Sequence, residues 1–200
     1  MADSVKPSIK AVALDFDGVI ANLDVDWNDA IRQASKIAGY NLKSLNLFYE
    51  NNFCTPLFNK ISGEMEKIEL EAIKKSQPKP FVQQFLEKVC STQCQVYIVS
   101  MQSQKVVQTF LEQHELARYF KEIITRERCP SKKAQVELIS KQTGFSHEEI
   151  LLVDDSKRNV SICKELGIVC FLFDRKQNQK ATKEAWNNVL NLLKIGNLIF

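Results

Sequence analysis

Nowhere does this chain stay apolar for the roughly twenty residues that a membrane-spanning helix needs, so a membrane protein of that kind is not expected. Glycine and proline are scarce, six and five in 200 residues, which argues against long disordered stretches. The opening ten residues are mostly polar or charged and lack the apolar centre of a signal peptide. Histidine occurs only at 114 and 147, in surface-like contexts that suggest no catalytic role. The six cysteines, Cys54, Cys90, Cys94, Cys129, Cys163 and Cys170, follow no zinc-ligand spacing. They read as buried free thiols of a reducing cytoplasm. No strong charge imbalance exists either: the net charge is +3. The densest basic stretch, Arg175 to Lys183, also holds three amides and reads as a solvated loop, not a nucleic-acid patch. With 44% hydrophobic residues, the chain can fill one core and fits one compact domain with a small insertion.

Against that background one stretch stands out. Ala11-Val12-Ala13-Leu14 reads as a buried strand, and Asp15-Phe16-Asp17-Gly18-Val19 follows it directly. Two carboxylates two residues apart, at a strand end and before a glycine, fall on one side of an extended chain. Such close like charges need a cation or a shared proton to relieve them. Carboxylate oxygens with water suit Mg²⁺, which makes a phosphoryl-transfer site the leading idea.

Four more apolar runs read as strands: Val96–Val99, Glu122–Ile124, Ile150–Val153 and Ile168–Phe173. Most lack polar alternation, which indicates burial on both faces and a parallel sheet. Amphipathic patterns over 105–116, 131–142, 157–166 and 181–193 predict intervening helices. Ser131 is placed to cap the second, and Gly167 to end the third. The alternation implies an α/β fold with a doubly wound parallel sheet.

About eighty residues separate the first two strands, far more than one crossover requires. Trp27, Ile31, Ala34 and Ala38 mark one amphipathic helix there, and Ile61, Met65, Ile68 and Ala72 another. Gln77-Pro78-Lys79-Pro80 then reads as a stiff return. The expected organisation is a core of residues 1–20 and 81–200, with a helical insertion of 21–80 emerging beside Asp17. In open α/β sheets ligands bind at the carboxyl ends of the strands, so the insertion could serve as a lid. A stabilising helical pair is the plainer alternative. Its aromatics, Trp27, Tyr40, Phe48, Tyr49, Phe53 and Phe58, are expected mainly in the core of that pair, with pocket lining the second reading.

Three further places bring chemistry to the same sheet edge. Ser100 ends one strand, Lys132 opens a helix after Cys129-Pro130, and Asp154-Asp155 end another strand. Four carboxylates, a hydroxyl and an ammonium would converge there. Each also has a structural reading. Asp15 and Asp17 could form a turn and a cap, Ser100 could simply end a strand, Lys133 competes with Lys132, and Asp154 and Asp155 could cap the next helix. Asn159 could orient Asp155 or face the helix end.

These residues resemble the four motifs of the haloacid dehalogenase-like superfamily. They are Asp15-Phe16-Asp17-Gly18-Val19, Ser100, Lys132 and Asp154-Asp155-Ser156 with Asn159, spread over residues 10–173. The insertion sits where that family carries a helical cap. Met101 departs from the small or amide residue that many members carry after the hydroxyl. The resemblance implies a phosphatase in which Asp15 is the nucleophile and Asp17 the general acid and base. It implies Mg²⁺ held by Asp15, the Asp17 carbonyl and Asp155, with Asp154 assisting. Lys132 would stabilise charge, and Ser100 with Lys132 would bind the phosphoryl group.

The expected substrate is a small phosphorylated metabolite, with neither nucleic acid nor membrane as partner. Several rivals share the ingredients. A receiver domain would carry its acidic pair first in the chain, not last. A dehalogenase would not need Asp17. A phosphonatase would need a marked lysine in the insertion. A phosphomutase, or a binding protein that kept the fold and lost the reaction, stays open as an alternative.

Overall fold

The structure is a computed structural model, and it describes residues 8–196. Five parallel strands form one sheet: β1 (Ala11–Leu14), β2 (Gln95–Val99), β3 (Glu122–Ile124), β4 (Ile150–Asp154) and β5 (Val169–Leu172). Their spatial order is β3-β2-β1-β4-β5. The strand carrying the aspartate motif is therefore central. Its Leu14 is level with Ile98 of β2 and Val153 of β4, so the residues following these three strands leave the sheet at one edge.

Burial explains why the three central strands, β1, β2 and β4, lack alternation. In β1, Val12 and Leu14 face one apolar layer and Ala11 and Ala13 face the other, all without solvent exposure. The first layer is completed by α4 (Val82–Cys90), α5 (Gln104–Gln113) and α8 (Gln179–Leu192). Phe85 of α4 stacks on Trp186 of α8 with ring centres 4.4 Å apart. The second layer is supplied by α6 (Lys132–Thr143) and α7 (Lys157–Glu165), through Val136, Ile139 and Cys163. Both faces of the pleat thus need apolar side chains, as a covered parallel sheet requires.

Serines set where three of these helices begin. Ser103, Ser131 and Ser156 cap α5, α6 and α7, each accepting from the backbone amide three residues on. Their side chains satisfy amides that the first helical turn leaves without partners. Since each serine follows β2, β3 or β4 in the chain, all three helices start at the carboxyl edge of the sheet. At the far end of α7, Gly167 takes a left-handed conformation with φ +84°. Its amide bonds Lys164 and that of Ile168 bonds Cys163, the paired closure that glycine permits.

Three helices fill the long segment after β1: α1 (Trp27–Ala38), α2 (Leu45–Asn52) and α3 (Pro56–Ile73). They share a separate apolar cluster built on Ala30, Ala34, Phe48, Tyr49, Phe58, Ile61 and Met65. The expected pair is α1 and α3. The additional helix α2 has its apolar residues side by side, Leu45, Leu47, Phe48 and Tyr49, and so presents no helical stripe to read. Of the six aromatics named above, Phe48, Tyr49 and Phe58 are buried and Tyr40 is exposed.

The chain's exit into the insertion and its return run together. Ala21 pairs with Pro78, the Lys79 amide donates to the Ile20 carbonyl, and Ser76 Oγ donates to the Asn22 carbonyl. Among the described residues no helix is long and apolar enough to cross a membrane. All six cysteines are free, but only Cys129 and Cys163 are buried, while Cys94 and Cys170 are partly exposed and Cys54 and Cys90 exposed, which corrects the expectation of six buried thiols.

Candidate active site

Asp15 is the first residue beyond β1, and its amide still donates to Val153 of β4. Lys132, the first residue of α6, reaches back across the edge. Its Nζ lies 2.8 Å from Asp15 Oδ1 and 3.4 Å from Asp154 Oδ2, and it also donates to the Val99 carbonyl. Lys132 is buried, whereas Lys133 is half exposed and 4.0 Å from Glu137. The geometry thereby separates the two lysines that the sequence leaves in competition.

Asp154 closes β4 with no solvent exposure. Its Oδ1 accepts from the Ser156 amide, and both of its carboxylate oxygens accept from Asn159 Nδ2, at 3.2 and 3.1 Å. Asn159 thus orients Asp154, not Asp155. Asp155 follows and faces Gly18. At φ +96°, Gly18 adopts a backbone that side chains disfavour, and a Cβ there would lie 2.3 Å from Asp155 Oδ2. Only glycine lets the loop after Asp17 come that close to the carboxylate.

One oxygen each from Asp15, Asp154 and Asp155 lies within 4.8 Å of the others. Three converging hard oxygen donors, with a glycine that brings backbone against one of them, fit a divalent ion such as Mg²⁺. The Asp17 side chain lies outside this trio. Its Oδ1 accepts from the Leu23 amide at 2.9 Å and from Arg175 Nη2 at 2.8 Å. Arg175 Nη1 stands 3.5 Å from Asp155 Oδ2.

Arg175 corrects the sequence reading of 175–183 as a solvated loop: its side chain belongs to the site, and α8 begins at Gln179. A lone arginine after a strand carries no pattern, so nothing in the sequence marked it. The remaining expected residue, Ser100, is buried beyond β2. Its Oγ donates to Gln102 Oε1 at 2.6 Å and accepts from the Gln102 amide. All of Asp15, Asp17, Lys132 and Asp155 line a cavity of about 240 Å³. Its other wall is the insertion, through Trp27 and Ile31 of α1 and Leu45, Asn46 and Tyr49 of α2.

Burial governs the site's charges. It pushes Asp15 well above the usual carboxylate range despite Lys132, and Asp154 and Asp155 add to the rise. Asp17 is raised by burial against the opposing pull of Arg175, the Leu23 amide and Trp27. Asp155 is raised to about 6 by burial, opposed by Arg175 and reinforced by Asp154 and Asp17. Lys132 resists its own burial because Asp15 and Asp154 hold its proton, and its pKa is raised. Burial therefore disfavours the ionised carboxylates even with Lys132 and Arg175 beside them, and a bound divalent cation would favour the ionised form.

Among the described residues, two ion pairs join the helices after β1 to the rest of the fold. Buried Arg126, after β3, bonds Glu69 of α3 at 2.6 Å, Ser62 Oγ at 2.8 Å and the Met101 carbonyl at 2.9 Å. At the surface, Arg158 of α7 grips both oxygens of Glu50 of α2 at 2.9–3.0 Å. His114 packs on the Phe110 ring and His147 bonds the Leu166 carbonyl, both away from the cavity.

Comparison with known proteins agrees with the motifs. Residues 12–173 match the model of the haloacid dehalogenase-like hydrolases, and the chain belongs to that family. The fold is that family's α/β core. A phosphoglycolate phosphatase of Vibrio cholerae is 25% identical over 191 residues, covering 83% of this chain and 84% of its own. A Haemophilus somnus structure described as a predicted phosphoglycolate phosphatase superposes with a TM-score of 0.64 at 17% identity. It covers 94% of this chain and 99% of its own. A haloacid dehalogenase-like hydrolase of Streptococcus pneumoniae gives 0.59 at 18% identity, covering 88% and 91%.

Proposed function

We propose that this hydrolase is a Mg²⁺-dependent phosphatase that cleaves a small organic phosphate monoester through an aspartyl-phosphate on Asp15. The carrying observation is the trio of Asp15, Asp154 and partly buried Asp155, with Lys132 2.8 Å from Asp15. Asp15 attacks phosphorus as the bond to the departing alcohol breaks. Asp17 gives that alcohol its proton, then takes one from the water that releases phosphate and restores Asp15. Lys132 and the Ser100 hydroxyl hold the phosphoryl oxygens, acting by position and charge. For Ser100 this requires turning its hydroxyl from Gln102. Mg²⁺, when bound by Asp15, Asp155, the Asp17 carbonyl and Asp154, would neutralise the phosphoryl charge against the anionic nucleophile.

In this reading residues 21–80 are a cap domain over a core of 1–20 and 81–200, and α1 and α2 choose the substrate's organic part. The Vibrio relative makes phosphoglycolate the first ester to try. The free cysteines suit a cytoplasmic enzyme. A panel of phosphorylated metabolites, with Mg²⁺ or with EDTA, tests the proposal. Phosphate release that needs Mg²⁺ and disappears in Asp15→Asn supports it. Cation-bound protein that turns over no ester in a broad panel contradicts it.

A further inference from the structure

Arg175 is held by both of its ends. Its guanidinium meets Asp17 Oδ1 at 2.8 Å and Asp155 Oδ2 at 3.5 Å. Its carbonyl accepts from Lys79 Nζ at 2.7 Å and, more distantly, from Asn22 Nδ2 at 3.5 Å. Asn22 and Lys79 lie on the two crossings of the helical insertion, which are themselves bonded through Lys79 to Ile20 and Ser76 to Asn22. The second donor on Asp17 Oδ1, the Leu23 amide, comes from the first crossing.

We propose that Arg175 is a positioning residue that fixes the Asp17 carboxylate for proton transfer and ties its orientation to the base of the insertion. The inference rests on the acid–base reading of Asp17 given above. A carboxylate with one donor can turn about its last side-chain bond. Two donors from different segments, converging on one oxygen, stop that rotation and fix where the other oxygen lies. Proton transfer to a departing alcohol demands that placement. The planar fork of arginine can span two carboxylates where the point charge of lysine cannot. Any shift of the crossings moves Asn22, Leu23 and Lys79, and with them the Arg175 and Leu23 donors on Asp17 Oδ1.

The test compares p-nitrophenyl phosphate with phenyl phosphate. The two esters are alike in ring and phosphate, but the phenyl ester's departing oxygen depends far more on receiving a proton. With saturating Mg²⁺, Arg175→Gln should lower kcat/KM for phenyl phosphate about tenfold or more, within the roughly 10²–10⁴-fold range of acid–base catalysis. The loss for p-nitrophenyl phosphate should stay below about threefold, since little acid help is needed there. Lys79→Met, which frees the Arg175 carbonyl and leaves the guanidinium intact, should show the same selectivity with a smaller loss.

Equal losses on both esters in Arg175→Gln would mark a general charge or folding effect and overturn the proposal, as would no loss. Asp17→Asn separates the two levels of the account. If it is selective and Arg175→Gln is not, the positioning role alone falls. If Asp17→Asn itself shows no selectivity, the acid–base reading and the inference fall together.

Discussion

Lys132 Nζ sits between Asp15 Oδ1 at 2.8 Å and Asp154 Oδ2 at 3.4 Å, buried with both. The pair spans 117 positions of chain. Lys132→Met would leave two buried carboxylates without their ammonium, a change that costs on the order of 3–5 kcal/mol for a buried pair. Urea unfolding should show a loss of that order, and phosphatase activity should disappear. Lys133→Met should unfold within about 0.5 kcal/mol of the parent, as exposed positions do.

Cation binding should depend on pH in a fixed direction. Asp155 has its folded pKa raised to about 6 from an ordinary 3.8, and Asp15 is raised further in the same sense. The stability each contributes is present below the unfolded pKa and is lost as pH rises through the folded one. Without a cation, stability therefore declines from about pH 4 through pH 6 and beyond. In the proposed reading Mg²⁺ would bind the ionised carboxylates and offset that loss. Thermal unfolding should show a larger rise in Tm on adding Mg²⁺ at pH 8 than at pH 5. An equal rise at both would contradict the assignment of these carboxylates as ligands.

Gly18→Ala places a methyl 2.3 Å from Asp155 Oδ2, at a backbone φ of +96°. The backbone strain alone costs roughly 1–2 kcal/mol, and Asp155 must move away. Mg²⁺ affinity by calorimetry should fall at least about tenfold, the effect of losing about 1.4 kcal/mol of binding. Gly39→Ala meets nothing within 4 Å. It should carry only the backbone cost and leave Mg²⁺ affinity unchanged.

The Arg126–Glu69 pair joins the insertion to the core without solvent contact. Arg126→Met strands Glu69 and should destabilise by about 3–5 kcal/mol in chemical denaturation. Adding Glu69→Leu removes the stranded charge and should recover part of that loss. A double variant as unstable as the two single losses summed would mean that the residues do not act as a pair.

Much of this was readable before any coordinates because the sheet is buried on both faces. Runs such as Ala11–Leu14 and Ile150–Val153 can only be apolar there, and by local chemistry Ser131 starts one helix and Gly167 ends another. The aspartates, Ser100 and Lys132 were legible because each sits at a strand end or helix start, and a parallel sheet brings such points to one edge. What was hidden depended on long-range contact. Arg175 and Arg126 acquire their roles from Asp17 and Glu69, which are distant in sequence. Asn159 turned to Asp154 because it lies on α7 one turn after that strand's end. Helix α2 stayed unread because its apolar face is set by packing against α3, not by its own period.

The account stands on Asp15 as the atom donor to phosphorus. The most direct measurement is a crystal structure grown with Mg²⁺ and beryllofluoride, a mimic of a phosphorylated carboxylate. It should show beryllium bonded to an Asp15 oxygen, with Asp155 on the metal and Lys132 against the fluorides. Beryllofluoride bonded to any other side chain would contradict the account.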